Sequence, residues 1–332
     1  MHVTVIYNPP DKSNEEIAAT EDHIEKIAAT VAESLKKRGL AVDVHQVSEK
    51  NLYSLIKQKK TDVFFNICDS EHLYMRVVRQ LEKHGRVFTG PGPRVMSLTV
   101  DKIATKKIFG EIGVPTPQWQ LFKTGKEKIH VSLRFPLIVK PQKEDCSIGI
   151  SEDSIVHNKK QLRARLEHMC ATYHQPILAE RFISGIELHC TVVGNETDAI
   201  AFPLAELRTP SGDTDNEFIY DFEAKWMEDS EKFKCYFVSP APSIDARTTK
   251  KIQKAARQAF LALEMKDYGR FDIRYNQKTK RWYFLEANAN PCLENKDTEA
   301  LIAAANASGY HYEKFINRIF DACVSRHAIA LS

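Results

Sequence analysis

Several things are missing from this chain of 332 residues. It has no excess of charge: 47 Lys and Arg stand against 44 Asp and Glu, a formal net of +3. Composition therefore gives no reason to expect nucleic acid or an anionic membrane as partner. No apolar run approaches the roughly 18 residues of a spanning helix, so no membrane segment is expected. Residues 1–8 lack the basic and long apolar regions of a secretory leader. Glycine (13) and proline (14) are sparse and no heptad run is sustained, which excludes collagen-like, disordered and coiled-coil chains. The seven cysteines (Cys68, Cys146, Cys170, Cys190, Cys235, Cys292, Cys323) form no C-x-x-C pair, and the 12 histidines form no H-E-x-x-H. Neither a zinc ribbon nor a thioredoxin-like site is indicated. Scattered thiols without a leader fit a reducing cytoplasm.

What is present reads as a globular α/β protein. At about 150 residues per domain the length fits two domains or three small ones. The first third alternates strand and helix signals. Val3–Tyr7 is a β-branched run, and Ile17, Ile24, Ile27, Val31 and Leu35 mark a helix over Glu15–Arg38, closed by Gly39. Leu40–Val47 reads as a strand, Leu52–Lys59 as a short helix, Val63–Ile67 as an apolar strand and Leu73–His84 as a helix. That order predicts an open, mostly parallel sheet, which binds ligands beyond the carboxyl ends of its strands. No G-x-G-x-x-G follows the first strand, so a dinucleotide fold is not supported. Farther on, helices are expected over Ser97–Gly110, Lys159–Tyr173 and Ala246–Leu263, and over Asp297–Ile319 with a break near Gly309. Strands are expected over Phe135–Lys140, Ile177–Ile183 and Glu187–Val193, with a hairpin of Tyr268–Tyr275 and Arg281–Asn288. Gly113–Pro117 begins an extended link, and the breaker-rich Thr209–Glu217 is expected to be a mobile loop.

The hairpin carries the most chemistry. Alternation puts Arg270, Asp272 and Arg274 on one face, and the even residues of Trp282–Asn288 likewise share a face. A turn centred near Lys278–Lys280 sets Asp272 opposite Glu286 and Arg270 opposite Asn288. Like charges directly opposite destabilise a ribbon. A bridging divalent cation would account for them, since two carboxylates and an amide oxygen are hard ligands suited to Mg²⁺ or Mn²⁺. A solvated face on which the acids pair with Arg270 and Arg274 is the alternative. Lys102, Lys140 and Lys225 could each simply reach solvent; around a metal they make sense as phosphate clamps. The Asp145–Gly149 loop could present backbone N–H groups to phosphate oxygens. Ile177–Glu187 could be an ordinary strand with polar ends, or could offer Glu180, Phe182 and Ile183 to a base and Glu187 to ribose.

Taken together these segments resemble the D-alanine–D-alanine ligase group of the ATP-grasp enzymes. The matching stretches are FTGPGPRVMSLTVDKIATKKIFGEIGVPTP (Phe88–Pro117), FPLIVKPQKEDCSIGIS (Phe135–Ser151), ILAERFISGIEL (Ile177–Leu188), IYDFEAKW (Ile219–Trp226), GRFDI (Gly269–Ile273) and YFLEANANP (Tyr283–Pro291). The resemblance implies an ATP-grasp α/β fold: an N-terminal open parallel-sheet domain (1–101) and two α+β lobes (102–183 and 184–332) that sandwich ATP. It implies that Lys102 and Lys140 bind the α- and β-phosphates and Lys225 the γ-phosphate region. Glu180, with the backbone of Arg181 and Ile183, would hold an adenine sandwiched by Ile138, Phe182 and Leu285, and Glu187 would bind ribose. Asp272, Glu286 and Asn288 would hold two Mg²⁺ (or Mn²⁺) ions. Arg270 would steady the acyl phosphate, and Ser147 and Lys225 join it among the catalytic residues. The segment Leu207–Asp221, with Trp226 beyond it, is the expected lid.

The implied reaction is ATP-dependent condensation of a carboxylate with an amine, two small-molecule partners. The chain departs from the group at both substrate pockets. Asn8–Glu15 replaces a glycine-rich turn followed by Glu, with Glu15 or Glu16 the nearest substitutes. Asn66-Ile67-Cys68-Asp69 replaces a His-Gly motif. Cys146 replaces the first loop Ser, Cys292 the Gly after Pro291, and Glu294–Asp297 a Ser-containing stretch. A ligase for some other carboxylate and amine is therefore expected. A true D-alanine–D-alanine ligase is the runner-up; a nucleotide-binding regulatory protein and a metal-dependent phosphatase or kinase are alternatives of other classes. Oligomeric state is open in the sequence, although relatives of this group are commonly dimers.

Overall fold

The computed structural model describes residues 1–10, 18, 23–69, 71–210 and 218–329, with backbone alone at 71 and 72. The first sheet has four parallel strands, β1 (His2–Tyr7), β2 (Ala41–Gln46), β3 (Val63–Asn66) and β4 (Val87–Phe88), in the order β2-β1-β3-β4. Helices α1 (Ile24–Lys37), α2 (Leu52–Ile56) and α3 (Glu71–Lys83) make the crossovers. Such a sheet is apolar on both faces because helices cover both, and Val3, Val5, Val63, Phe64 and Phe65 are fully buried. The expected elements appear here within a few residues. The stretch before His23 expected to begin α1, Glu15 and Glu16 included, lies outside the described residues.

The expected helix Ser97–Gly110 is two helices, α4 (Pro93–Val100) and α5 (Lys102–Glu111). The break is at Asp101, whose extended backbone lets its carboxylate cap α5 by accepting from the Ile103 and Ala104 amides at 3.0 and 3.1 Å. The same oxygen accepts from Gln142 Nε2 at 2.9 Å, which fixes the start of α5 beside the second sheet. That sheet is antiparallel: β5 (Trp119–Phe122), β6 (Leu137–Pro141), β7 (Ile155–Val156) and β8 (Ile177–Arg181), ordered β5-β8-β6-β7. The link after Pro117 thus ends in an edge strand, with Trp119 paired to Glu180. Helix α6 (Lys159–Tyr173) covers one face through Leu162, Leu166 and Met169.

The third sheet runs β12-β11-β9-β13-β14, with β10 on β9. Its strands are β9 (Ile186–Val193), β10 (Ile200–Ala201), β11 (Ala205–Arg208), β12 (Tyr236–Val238), β13 (Tyr268–Asn276) and β14 (Arg281–Asn288). The short helix α7 (Phe222–Trp226) precedes β12, and α8 (Ala246–Ala262) packs on β9 and β10. Phe109 of α5 packs against Phe271 and Phe284. The terminal helices α9 (Ala300–Ala307) and α10 (Tyr312–Arg326) return to the first sheet, and Phe315, Ile319 and Phe320 share a core with Val3, Val5 and the apolar stripe of α1. This seam is latched by Asp267, which is fully buried. Arg326 donates to both its oxygens, at 2.8 and 3.1 Å, and the Gly90 amide donates to it at 2.8 Å. Among the described residues no helix is long and apolar enough to cross a membrane.

Candidate active site

A cleft lies between the second and third sheets. Ile138, Lys140, Ser147, Glu180, Arg181, Phe182, Ile183, Glu187, Lys225, Asp272, Leu285 and Glu286 all line it. Lys102, Arg270 and Asn288 sit just behind this wall. Lys102 is buried, donates to the Glu144 carbonyl and lies 3.6 Å from Glu286 Oε2 and 3.8 Å from Asp145 Oδ1.

The ribbon β13–β14 has the expected register at its critical end: Asp272 faces Glu286 and Arg270 faces Asn288. The expectation that all even residues of β14 share a face is corrected. A bulge leaves Leu285 unpaired, because Ile273 faces Phe284 while Asp272 faces Glu286. Phe284 accordingly turns into the core, fully buried. Bulges re-aim side chains, and here the result is that two consecutive residues, Leu285 and Glu286, both reach the cleft.

Arg270 grips Asp272 through two hydrogen bonds, Nε at 2.7 Å and Nη2 at 3.1 Å, and Asn288 Nδ2 donates to it at 3.2 Å. Burial pushes the Asp272 carboxyl upward, but the Arg270 charge, with His189 and the Arg270 hydrogen bonds, holds it well below the usual carboxylate range. His189 is opposite Asp272 on β9; its Nε2 is 3.2 Å from Glu187 Oε1 and 3.6 Å from Asp272 Oδ1. Arg274 faces Glu187, donates to it at 3.4 Å, and also donates to the carbonyls of Ile183 and Phe218 at 3.1 and 3.0 Å. One face of the sheet is thus a layer of alternating charge.

At the other end of the cleft Glu180, almost fully buried, lies 2.7 Å from Lys140 and 2.6 Å from Lys106. Burial alone would raise its pKa; the two ammonium groups overcome that and lower it. Lys106 was not singled out in the sequence, although it lies four residues after Lys102 and so on the same helical face.

The loop Asp145–Gly149 touches the cleft through Ser147. Cys146 (φ 55°) and Ser147 (φ 62°) are both left-handed, a conformation uncommon for residues with a Cβ. The loop's Ile148 and Ile150 amides are engaged internally, at 3.0 Å each. Ser147 Oγ donates to the Tyr220 carbonyl and Trp226 Nε1 to the Cys146 carbonyl, both at 3.0 Å. The α7 segment is therefore docked on this loop; residues 211–217 of the expected lid lie outside the described residues. Trp226 also stacks on His23, ring centroids 5.6 Å apart. His23 also borders a second, small depression, whose walls include Ile27, Ile67, Asp69, Asn290 and Cys292.

The chain is similar to known proteins in sequence and in fold. The family "D-ala D-ala ligase C-terminus" matches residues 108–321. The chain belongs to the D-alanine–D-alanine ligase family. A D-alanine–D-alanine ligase of Verminephrobacter eiseniae is 31% identical over 85% of this chain and 82% of its own length. An uncharacterized protein of Sinorhizobium fredii is 29% identical over 81% of this chain and 76% of its own. In fold, the chain is similar to a crystal structure of the Bacillus anthracis D-alanine–D-alanine ligase complexed with ATP. The TM-score is 0.76, with 21% identity and 99% of each chain covered. The protein is an ATP-grasp enzyme, an ATP-dependent ligase that joins a carboxylate to an amine through a C–N bond.

Proposed function

We propose that this ligase condenses a small carboxylic acid or amino acid with an amine, and that the pair differs from two D-alanines. The convergence of the facing acids, the lysines and the base pocket on one cleft carries the reading of the reaction. The substrate part is supported by Asp69 and Cys292, two positions at which the chain departs from the family pattern and which the structure brings to one depression.

In this reading ATP lies along the cleft. Its base rests between Ile138, Phe182 and Leu285. The Arg181 amide is taken by the Gln118 carbonyl at 2.8 Å and the Ile183 carbonyl by Arg274. The base would use the opposite half of each peptide, the Arg181 carbonyl and the Ile183 N–H, which matches the donor and acceptor on adenine's edge. Glu180 sits beside that edge, and Glu187 is placed for ribose. Lys140, Lys102 and Lys225 neutralise the phosphates.

Asp272, Glu286 and the Asn288 side-chain oxygen form an all-oxygen donor set that fits Mg²⁺ or Mn²⁺. Two such ions, held there, would neutralise and polarise the phosphate oxygens. Asn288 presents its nitrogen to Asp272 in this structure, so its amide must turn over to serve as a ligand.

The chemistry then follows from leaving groups. A carboxylate resists attack because an oxide would have to leave. Its oxygen attacks the γ-phosphorus, ADP departs, and an acyl phosphate results. The amine nitrogen attacks the acyl carbon, phosphate leaves, and the nitrogen loses a proton. Arg270, held against Asp272 of the cleft wall, would stabilise charge on the acyl phosphate and on the tetrahedral intermediate. The α7 segment docked on the Cys146–Ser147 loop would keep water from the acyl phosphate. Among the described residues no disulfide forms, which suits a reducing cytoplasm.

An ADP-release screen that pairs candidate acids with candidate amines tests this, with mass spectrometry of the product. ADP that needs both partners supports the ligase. Phosphate or a phosphorylated product without amine would mean a phosphatase or kinase. Saturable turnover with D-alanine alone would retire the substrate part.

A further inference from the structure

The reaction above leaves Lys106 without a task, yet burying its charge is costly. The base end of the cleft holds two ammonium groups and one carboxylate, all within 4% exposure. One lysine would neutralise Glu180; the second leaves a surplus positive charge. The two lysines are also tethered differently. Lys106 lies 2.6 Å from Glu180 Oε2 and donates to Thr116 Oγ1 and the Leu285 carbonyl, each at 3.0 Å. These three acceptors match the three protons of an ammonium group. Lys140 stands on the cleft wall, and Glu180 is its one ion-pair partner among the described residues.

We propose that Lys106 is the permanent counter-charge of Glu180, and that its presence frees Lys140 to leave that carboxylate and grip phosphate when nucleotide enters. This rests on the nucleotide reading of the cleft given above. Lys106 is thereby a positioning residue, acting through Glu180 and Lys140. Without it, each departure of Lys140 would strand a buried carboxylate, and the nucleotide's phosphates would compete with Glu180 for one cation. Burial presses the Lys106 pKa down to about 8, with Glu180 opposing and the Lys140 charge reinforcing that fall. Movement of Lys140 toward phosphate relieves the repulsion, so nucleotide binding itself favours the charged form of Lys106.

The test is calorimetric titration of the full chain with Mg²⁺ and the non-hydrolysable analogue AMP-PNP, and separately with adenosine. Lys106→Met should weaken AMP-PNP binding by roughly tenfold or more and adenosine binding far less. Glu180 also borders the base, so recovery is read as the ratio of AMP-PNP to adenosine affinity: adding Glu180→Gln to Lys106→Met should restore most of that ratio, because a neutral side chain no longer holds Lys140. The double variant leaves one buried ammonium, Lys140, and no buried carboxylate at this spot, and its comparison with Glu180→Gln stays available should Lys106→Met fold poorly. There the reference is Glu180→Gln alone, to which adding Lys106→Met should cost less than about threefold. A Lys106→Met protein that binds AMP-PNP as the wild type does, or a double variant whose ratio of AMP-PNP to adenosine affinity is no better than that of Lys106→Met, overturns the inference. A wild-type protein that takes up no AMP-PNP instead overturns the nucleotide reading beneath it.

Discussion

The two ends of the active site are built differently. At the base end, Glu180, Lys106 and Lys140 are sealed between strand β8, strand β6 and helix α5, and every charge has a close partner. At the acyl end, the cavity is closed by residues from separate parts of the chain: His23 and Ile27 at α1, Asp69 after β3, and Asn290 and Cys292 after β14. Asn290 ties these together, donating to the Cys68 carbonyl at 2.9 Å and accepting from Tyr268 Oη at 2.8 Å. Buried ion clusters tolerate little change, because removing one partner leaves another unpaired. Loop residues around a cavity can be exchanged more freely. The contrast teaches that, in the proposed reading, substrate choice can vary at the loop-built end while the ion-paired end stays fixed.

Between the two ends sits the pair Asp272 and Glu286, and the sharpest break falls there. Glu286→Gln removes a charge proposed to bind metal and should cut ADP release by about a thousandfold, as loss of electrostatic stabilisation commonly does. Near-normal turnover would remove the metal assignment. The seam that carries the acyl cavity comes next. Arg326→Ala leaves fully buried Asp267 without its guanidinium and should cost about 3 kcal/mol in denaturant unfolding. An unchanged midpoint would show that the latch is dispensable. At the base end, Lys140→Ala should raise the KM for ATP by about tenfold while leaving the KM for the amine alone, a loss of binding rather than chemistry. The reverse split would reassign it.

Acid sensitivity should also localise to the charged layer. The folded pKa of Asp272 lies below its unfolded value, so its stabilisation is present above the unfolded pKa of about 3.9 and is lost as pH falls through and below it. Asp272→Asn should flatten that part of the acid unfolding curve; an identical slope would show that Asp272 is not the source. The smallest effect is expected at the acyl end, where the Cys292 side chain is exposed. If only its backbone N–H is used, Cys292→Gly should leave kcat/KM within about twofold, since surface changes of this kind are usually mild. A large loss would make the thiol part of the substrate pocket.

How legible this was in the sequence depended on whether a pattern was local. Alternation along Tyr268–Tyr275 and the helical pattern of Lys159–Tyr173 are local, and strand register and helix bounds there came out close to expectation. The facing acids could be deduced because two short strands and one turn fix their register. The bulge at Leu285 could not, since nothing in YFLEAN marks an inserted residue, yet it alone brings Leu285 and Glu286 to one cleft. Alternation places Arg274 on the face of Asp272, and the same counting from Glu187 could have found His189; their partners on an adjacent strand are long-range. Lys106 was hidden for the same reason. Helical spacing from Lys102 gave its face, but Glu180 is more than seventy residues away, and only the packing of α5 against β8 reveals the pair.

The most direct measurement is anomalous scattering from crystals grown with Mn²⁺ and AMP-PNP. The account predicts a manganese peak between Asp272 and Glu286, with the triphosphate running from that peak toward Lys140 and the base against Phe182. A peak away from those two carboxylates, or nucleotide bound outside the cleft, would contradict it.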